Sequence, residues 1–283
     1  MTASGRRPFV FFALAFALAA PFWVLGAMVP TPEDAPVPLP LSALQFLAPF
    51  TAAVILVWRD EGPAAVGRLL RRALDVRTVR PPTWWAPVLL LLPAAYLLSY
   101  LAQLAIGRTL PDPELAWGSL VVLIGLFLVT AFFEEVGWTG YALGPIQSRI
   151  GPPRAAVVIG VAWAAFHVVA DLQGGRALDW IAWQRLAGIA IRVLIVWIHN
   201  GTGGSLFAVI AFHATDNVSW LSFPNGGSHY DPALVALPLL VVAGVVAALR
   251  RLDVPAGSGR SAREATQPAT EGGLGRLADP TQD

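Results

Sequence analysis

Residues 120–143 read LVVLIGLFLVTAFFEEVGWTGYAL. From Leu120 to Phe133 the only polar side chain is Thr130, and two glutamates, Glu134 and Glu135, follow at once. A helix on the surface of a soluble protein shows a charged face every 3.6 residues. This stretch shows none, and it is long enough to cross the hydrocarbon of a bilayer. Ionisable groups in hydrocarbon are costly, so a span that keeps them generally uses them. One segment therefore sets both the architecture and the chemistry to look for.

The rest of the chain has the same character. It has 283 residues, 56% hydrophobic and 13% charged, with a mean hydropathy of +0.62. A soluble domain carries about twice that charge. Apolar runs fall at 8–29, 41–58, 84–107, 116–142, 154–171, 183–199, 204–222 and 233–250. The reading is an all-α, polytopic membrane bundle of about eight transmembrane helices over residues 1–251, in contact with membrane lipid. The linker 30–40, PTPEDAPVPLP, is too rich in proline to continue a helix. Within 59–83 the segment GRLLRRAL is amphipathic and is expected on the membrane surface. Residues 252–283 are polar, glycine-rich and expected to be a disordered cytoplasmic tail.

All 19 basic residues are arginine. Fifteen of them fall in 1–7, 59–83, 143–154 and the segment after 249, all on one side of the bundle if the spans alternate. The other side holds Arg108 and Arg176, while Arg185 and Arg192 lie within a span. The positive-inside rule then makes both termini cytoplasmic, in a multi-pass protein of the inner (plasma) membrane. Arg6-Arg7 ahead of an apolar run looks like an export signal, but more spans follow it and no soluble domain does. A net charge of +1 gives no case for nucleic acid. The lack of cysteine excludes disulfides, thiolate metal sites and a cysteine nucleophile.

Four places carry chemistry. Glu134 and Glu135 point about 100° apart on a helix, so one of them faces a given cavity. His167 lies in VAWAAFHVVADL, in the fifth span. His213 and Asn217 lie in SLFAVIAFHATDN and share a helix face by i,i+4 spacing. Asp216 adjoins them and is expected to point elsewhere. Arg192 is mid-span and needs a carboxylate, for which Glu135 is the candidate. Each polar group alone also fits an interhelical clasp. Trp138 and Trp163 are the interior tryptophans, expected to wall the site. His199 and His229 are expected to be solvated or loop residues.

EEVGWTG, WAAFH and HATDN, in that order on successive spans, resemble the CPBP family. This is the CAAX-protease and bacteriocin-processing family, also called the ABI family of type II CAAX prenyl endopeptidases. Its motifs read EExxxR, FxxxH and HxxxN, and WIHNGTGGSL ahead of the last one is similar to bacterial members. The resemblance covers about 115–220, the expected protease core. It implies that Glu134 activates water with His167 as partner, that His213 and Asn217 hold the water and the oxyanion, and that Glu135 is structural. Two positions depart from the motifs: Thr139 stands in place of the arginine and Trp163 in place of the phenylalanine. Arg192 is expected to serve Glu135 instead.

The expected function is an intramembrane endopeptidase acting on a peptide or membrane-protein substrate. Cofactors stay open: none is certain, and one divalent ion such as zinc would take Glu134, His167 and His213. The asparagine favours a metal-free site, since amides are poor zinc ligands. Two other readings stand beside it. One is a non-catalytic scaffold or bacteriocin-immunity protein on the same bundle. The other is a proton-coupled transporter, against which no internal repeat is visible.

Overall fold

The computed structural model describes residues 6–29, 39–112, 117–224, 226–249 and 251–252. Among these residues the structure is a set of helices with no strand: α1 (Pro8–Met28), α2 (Leu47–Glu61, entered by a 3₁₀ turn Leu41–Phe46), α3 (Pro63–Leu74), α4 (Trp85–Ala105), α5 (Trp117–Gly137), α6 (Gly144–Ile150), α7 (Pro152–Gln173), α8 (Leu178–Gly201), α9 (Leu206–Leu221) and α10 (Pro232–Ala248). Each of the eight expected spans contains one of the longer helices. Among the described residues six helical segments are long and apolar enough to cross a membrane, and the protein is a multi-pass membrane protein. α9 and α10 are shorter, at 16 and 17 residues. The linker 30–40 lies largely, and the tail from 253 wholly, outside the described residues. Leu252, assigned to the tail from sequence, is buried, and its carbonyl accepts from Asn200 Nδ2 at 2.7 Å.

Many large apolar side chains face outward, and many alanines face the helix contacts inside. Leu90, Leu97, Val121, Val129 and Val241 are exposed, while Ala15, Ala19, Ala52, Ala131 and Ala156 are fully buried. Lipid tails are as apolar as leucine, so helices in a membrane gain by close backbone approach through small residues. Gly137 is the tightest such point beside the glutamates: a Cβ there would lie 2.5 Å from the Pro49 carbonyl oxygen of α2. Backbone cannot move aside cheaply. We expect Gly137→Ala to cost about 1–3 kcal/mol by forcing α2 and α5 apart. Thermal unfolding in detergent checks this, and an unchanged midpoint would refute the close contact.

Between α5 and α6 the helix widens into a π turn, Trp138–Leu143, and every residue from Glu134 to Leu143 is buried. α3 is the expected amphipathic helix, with Ala65, Leu69 and Ala73 buried and Arg68, Arg71 and Arg72 exposed.

Side-chain ties mark the two ends of the bundle. On the arginine-rich end, Arg6 pairs with Glu61 and donates to the Gly140 carbonyl. There too Arg149 donates to the Arg6 carbonyl, Thr78 to Ser205, and Gln147 and Asn200 exchange hydrogen bonds. On the other end, Gln173 donates to the Trp23 carbonyl, Arg108 pairs with Asp231, and Gln103 donates to the His229 carbonyl. His199 is not a solvated loop residue. It sits half-buried in the last turn of α8, with Nδ1 3.1 Å from Asn200 Oδ1.

Candidate active site

The π turn follows immediately on Glu134 and Glu135, and the two carboxylates lead to different surroundings. Glu135 is fully buried. Its Oε2 accepts from Thr139 Oγ1 at 2.5 Å and from Arg192 Nη1 at 2.8 Å, and Arg192 Nη2 lies 2.8 Å from Oε1. His213 Nδ1 donates to the same Oε1 at 2.8 Å. A carboxylate facing two guanidinium nitrogens is held in the strongest pairing geometry side chains offer. Thr139, which stands where the family motif has arginine, and Arg192 from α8 together satisfy Glu135.

Glu134 faces the cavity. Its Oε2 accepts from Trp163 Nε1 at 2.7 Å, and its Oε1 lies 3.7 Å from His167 Nε2. His167 Nδ1 lies 2.8 Å from the Trp163 carbonyl oxygen. A carbonyl only accepts, so Nδ1 carries the hydrogen and Nε2 of the neutral ring presents its lone pair to Glu134. The i,i+4 bond to Trp163 thus fixes the tautomer. At 3.7 Å the two groups are too far apart to bond directly. One water sitting beside the pair, about 2.8 Å from each atom, would bridge them.

Trp163 is the hub of the site. Its ring stands edge-on to His167 and His213, with centroids 4.7 Å and 5.6 Å away, and the Arg192 guanidinium carbon lies 4.5 Å from its centroid. Gly188 makes room for it, since a Cβ there would lie 2.8 Å from the indole ring. A phenylalanine at this position would fill the same space without an N–H for Glu134.

The cavity has a volume of about 410 Å³, and Glu134, His167 and Asn217 line it. His213 is buried behind it, one helical turn from Asn217. Two expectations are corrected here. Trp138 does not wall the cavity: it packs against Phe11, Phe12 and Phe166 behind the π turn. Asp216 does not point elsewhere: it lines the cavity and accepts from Tyr96 Oη at 3.0 Å. Its i,i+3 spacing to His213 was the available signal. Sequence reading also missed the cavity-lining pair of Asp171 and Arg185, whose Nε and Oδ2 atoms are 3.0 Å apart. Their separation, 14 residues across the α7–α8 turn, has no periodic signature. Tyr230 donates to Gln184 at 2.6 Å, and burial and the nearby Asp216 raise its phenol pKa, so it stays a donor. A larger hollow of about 680 Å³ lies beside this cavity, lined by Arg108, Asp179, His229 and Asp231, and none of the motif residues reaches it.

Among the described residues no three His, Asp or Glu side chains are gathered as a metal site. Glu134 and His167 face each other, while His213 is off the cavity lining and bound to Glu135. Among the described residues the donor set suggested for zinc is not assembled.

Comparison with known proteins gives two matches. The family described as type II CAAX prenyl endopeptidase, Rce1-like, matches residues 116–219. The protein named CAAX prenyl protease 2 from Methanococcus maripaludis is 26% identical over 187 residues, covering 61% of this chain and 68% of that protein. Glu134, Glu135, His167, Arg192, His213 and Asn217 all fall inside the matched stretch.

Proposed function

We propose that this chain, whose residues 116–219 match the type II CAAX prenyl endopeptidase family, is a CAAX-type intramembrane endopeptidase of the CPBP family in which Glu134 and His167 activate the water that cuts the peptide bond. The observation carrying this reading is the 3.7 Å gap between Glu134 Oε1 and His167 Nε2 at the cavity wall. A water seated there donates one hydrogen to each and turns a lone pair toward the scissile carbonyl. As the C–O bond forms, Glu134 takes the water's proton. The carbonyl oxygen becomes an oxyanion, and the Asn217 amide N–H donates to it. Collapse breaks the C–N bond, and the proton held by Glu134 passes to the leaving nitrogen.

The other groups hold this pair in place. Trp163 ties down Oε2 of Glu134 and leaves Oε1 for the water. Glu135 orients His213 and is itself neutralised by Arg192. The arginine missing at position 139 therefore does not orphan Glu135. We further propose that the protein lies in the plasma membrane with its arginine-rich end, and so both termini, in the cytoplasm. Its substrates are peptide segments presented at the membrane.

The test is a comparison of terminal peptides in membranes from cells carrying wild type or Glu134→Gln at equal expression. New termini that need Glu134 are expected. Identical termini across well-covered membrane proteins would favour a non-catalytic bundle. A second expectation concerns metal: dialysis of the purified protein against a strong chelator should leave the cleavage rate within about twofold. A loss reversed by zinc would replace the water pair above with a metal-bound water.

A further inference from the structure

We propose that α3 and the turn after it dock on anionic phospholipid headgroups, and that this contact braces the two segments that carry the candidate site. The surface is separate from the cavity, and its lipid contact holds whichever side of the membrane it faces.

The charges on this surface are unpaired. Arg68, Arg71 and Arg72 share one face of α3 by i,i+3 and i,i+4 spacing, and Arg77 and Arg80 follow on the way to α4. All five are exposed. The acidic residues of the same stretch are engaged elsewhere: Glu61 pairs with Arg6, Asp60 with Arg59, and Asp75 accepts from the Arg77 backbone N–H. Among the described residues none of the five guanidinium groups has a carboxylate within ion-pair distance. Those of Arg71 and Arg80 donate to the carbonyls of Gly67 and Arg77. Clustered like charges repel one another and attract anions, and a guanidinium fork matches the oxygens of a phosphodiester.

The apolar neighbours say where those phosphates come from. Trp58, Leu74 and Val76 are exposed beside the arginines. The segment joins two helical stretches able to cross the membrane, one ending at Glu61 and the next starting at Pro82, so it is held at the bilayer boundary. Exposed tryptophan, leucine and valine interleaved with arginine suit the level where acyl chains meet headgroups. A soluble polyanion would leave those apolar groups in water.

The buried side of the same segment bears on the site. Leu69 Cδ1 lies 3.1 Å from where a Gly140 Cβ would be, inside the π turn that follows Glu134 and Glu135. Thr78 Oγ1 donates to Ser205 Oγ at 2.9 Å, and that oxygen accepts from the Ala208 N–H as the N-cap of α9. α9 carries His213 and Asn217. Headgroups held by the arginines therefore fix the segment that abuts the π turn and steadies the α9 cap.

The test compares purified protein in bilayer discs of phosphatidylcholine with discs in which part of it is replaced by phosphatidylglycerol. Phosphatidylglycerol should raise the wild-type unfolding midpoint by several degrees, and added salt should erase the rise. In Arg68→Gln/Arg71→Gln/Arg72→Gln the rise should vanish, and preference for co-purified phosphatidylglycerol over phosphatidylcholine should fall about tenfold or more. Arg154→Gln/Arg251→Gln removes two exposed charges outside α3 and its turn and should keep both. An equal loss in that control would make the effect one of overall charge and overturn the surface. A triple variant already destabilised in phosphatidylcholine would make the arginines structural and overturn it too. Inorganic phosphate reproducing the rise in phosphatidylcholine discs would replace lipid with a free anion. Every readout is stability or lipid retention, so failure here is distinct from failure of the Glu134-dependent peptidase reading.

Discussion

Glu134→Gln should lower peptide cleavage by the reconstituted protein by about 10²–10⁴-fold, the usual contribution of a positioned proton acceptor. The substitution keeps an oxygen for Trp163 Nε1 to donate to, so packing around the indole is preserved. It removes the charge that takes the water's proton. His167→Gln should cost a comparable factor, because the water is held between two atoms 3.7 Å apart and either one alone leaves it unaligned. Residues that work as one unit are not additive. The double variant should therefore be no slower than the worse single variant, within about threefold. If the two losses multiply, Glu134 and His167 act on separate steps and the shared water is wrong. Unfolding midpoints within a few degrees of wild type should accompany both single variants, which separates lost chemistry from lost structure.

The second large effect is structural. Arg192→Leu leaves Glu135 fully buried with His213 and Thr139 as its partners. Breaking a buried ion pair from one side costs about 3–5 kcal/mol, because the remaining charge has lost its compensation. The variant is expected to unfold in detergent far below the wild-type temperature. Adding Glu135→Leu removes the stranded charge, and the double variant should recover a large part of the loss. A cycle of this kind isolates the pair. Additive destabilisation, or an Arg192→Leu variant as stable as wild type, would show that Arg192 is not the partner Glu135 depends on.

Much of this architecture can be read in the sequence because a bilayer demands long apolar runs, and each run falls on a helix. The glutamates and histidines are legible for the complementary reason: they are the costly exceptions within those runs. Asp216 and Tyr96 escaped because a carboxylate and a phenol from α9 and α4 meet across 120 residues of sequence. Trp138 was misassigned because interior position alone does not say which cavity a ring faces. At the start of the π turn, its ring packs against Phe11 and Phe166. Uniform burial from Glu134 to Leu143 leaves no exposed polar stripe by which that packing could be anticipated.

The shortness of α10 has a bearing on the lipid around it. Its 17 residues rise about 25 Å, against a hydrocarbon thickness of about 30 Å, and its exposed Leu237, Val241 and Val245 meet lipid directly. α1, α4 and α8 are 21 to 24 residues long. The membrane is then obliged to pinch along one flank of the molecule, at a fraction of a kcal/mol per Å of mismatch. Acyl-chain length becomes a control on the enzyme: vesicles of shorter-chain lipid relieve the pinch and should yield the more stable, more active preparation.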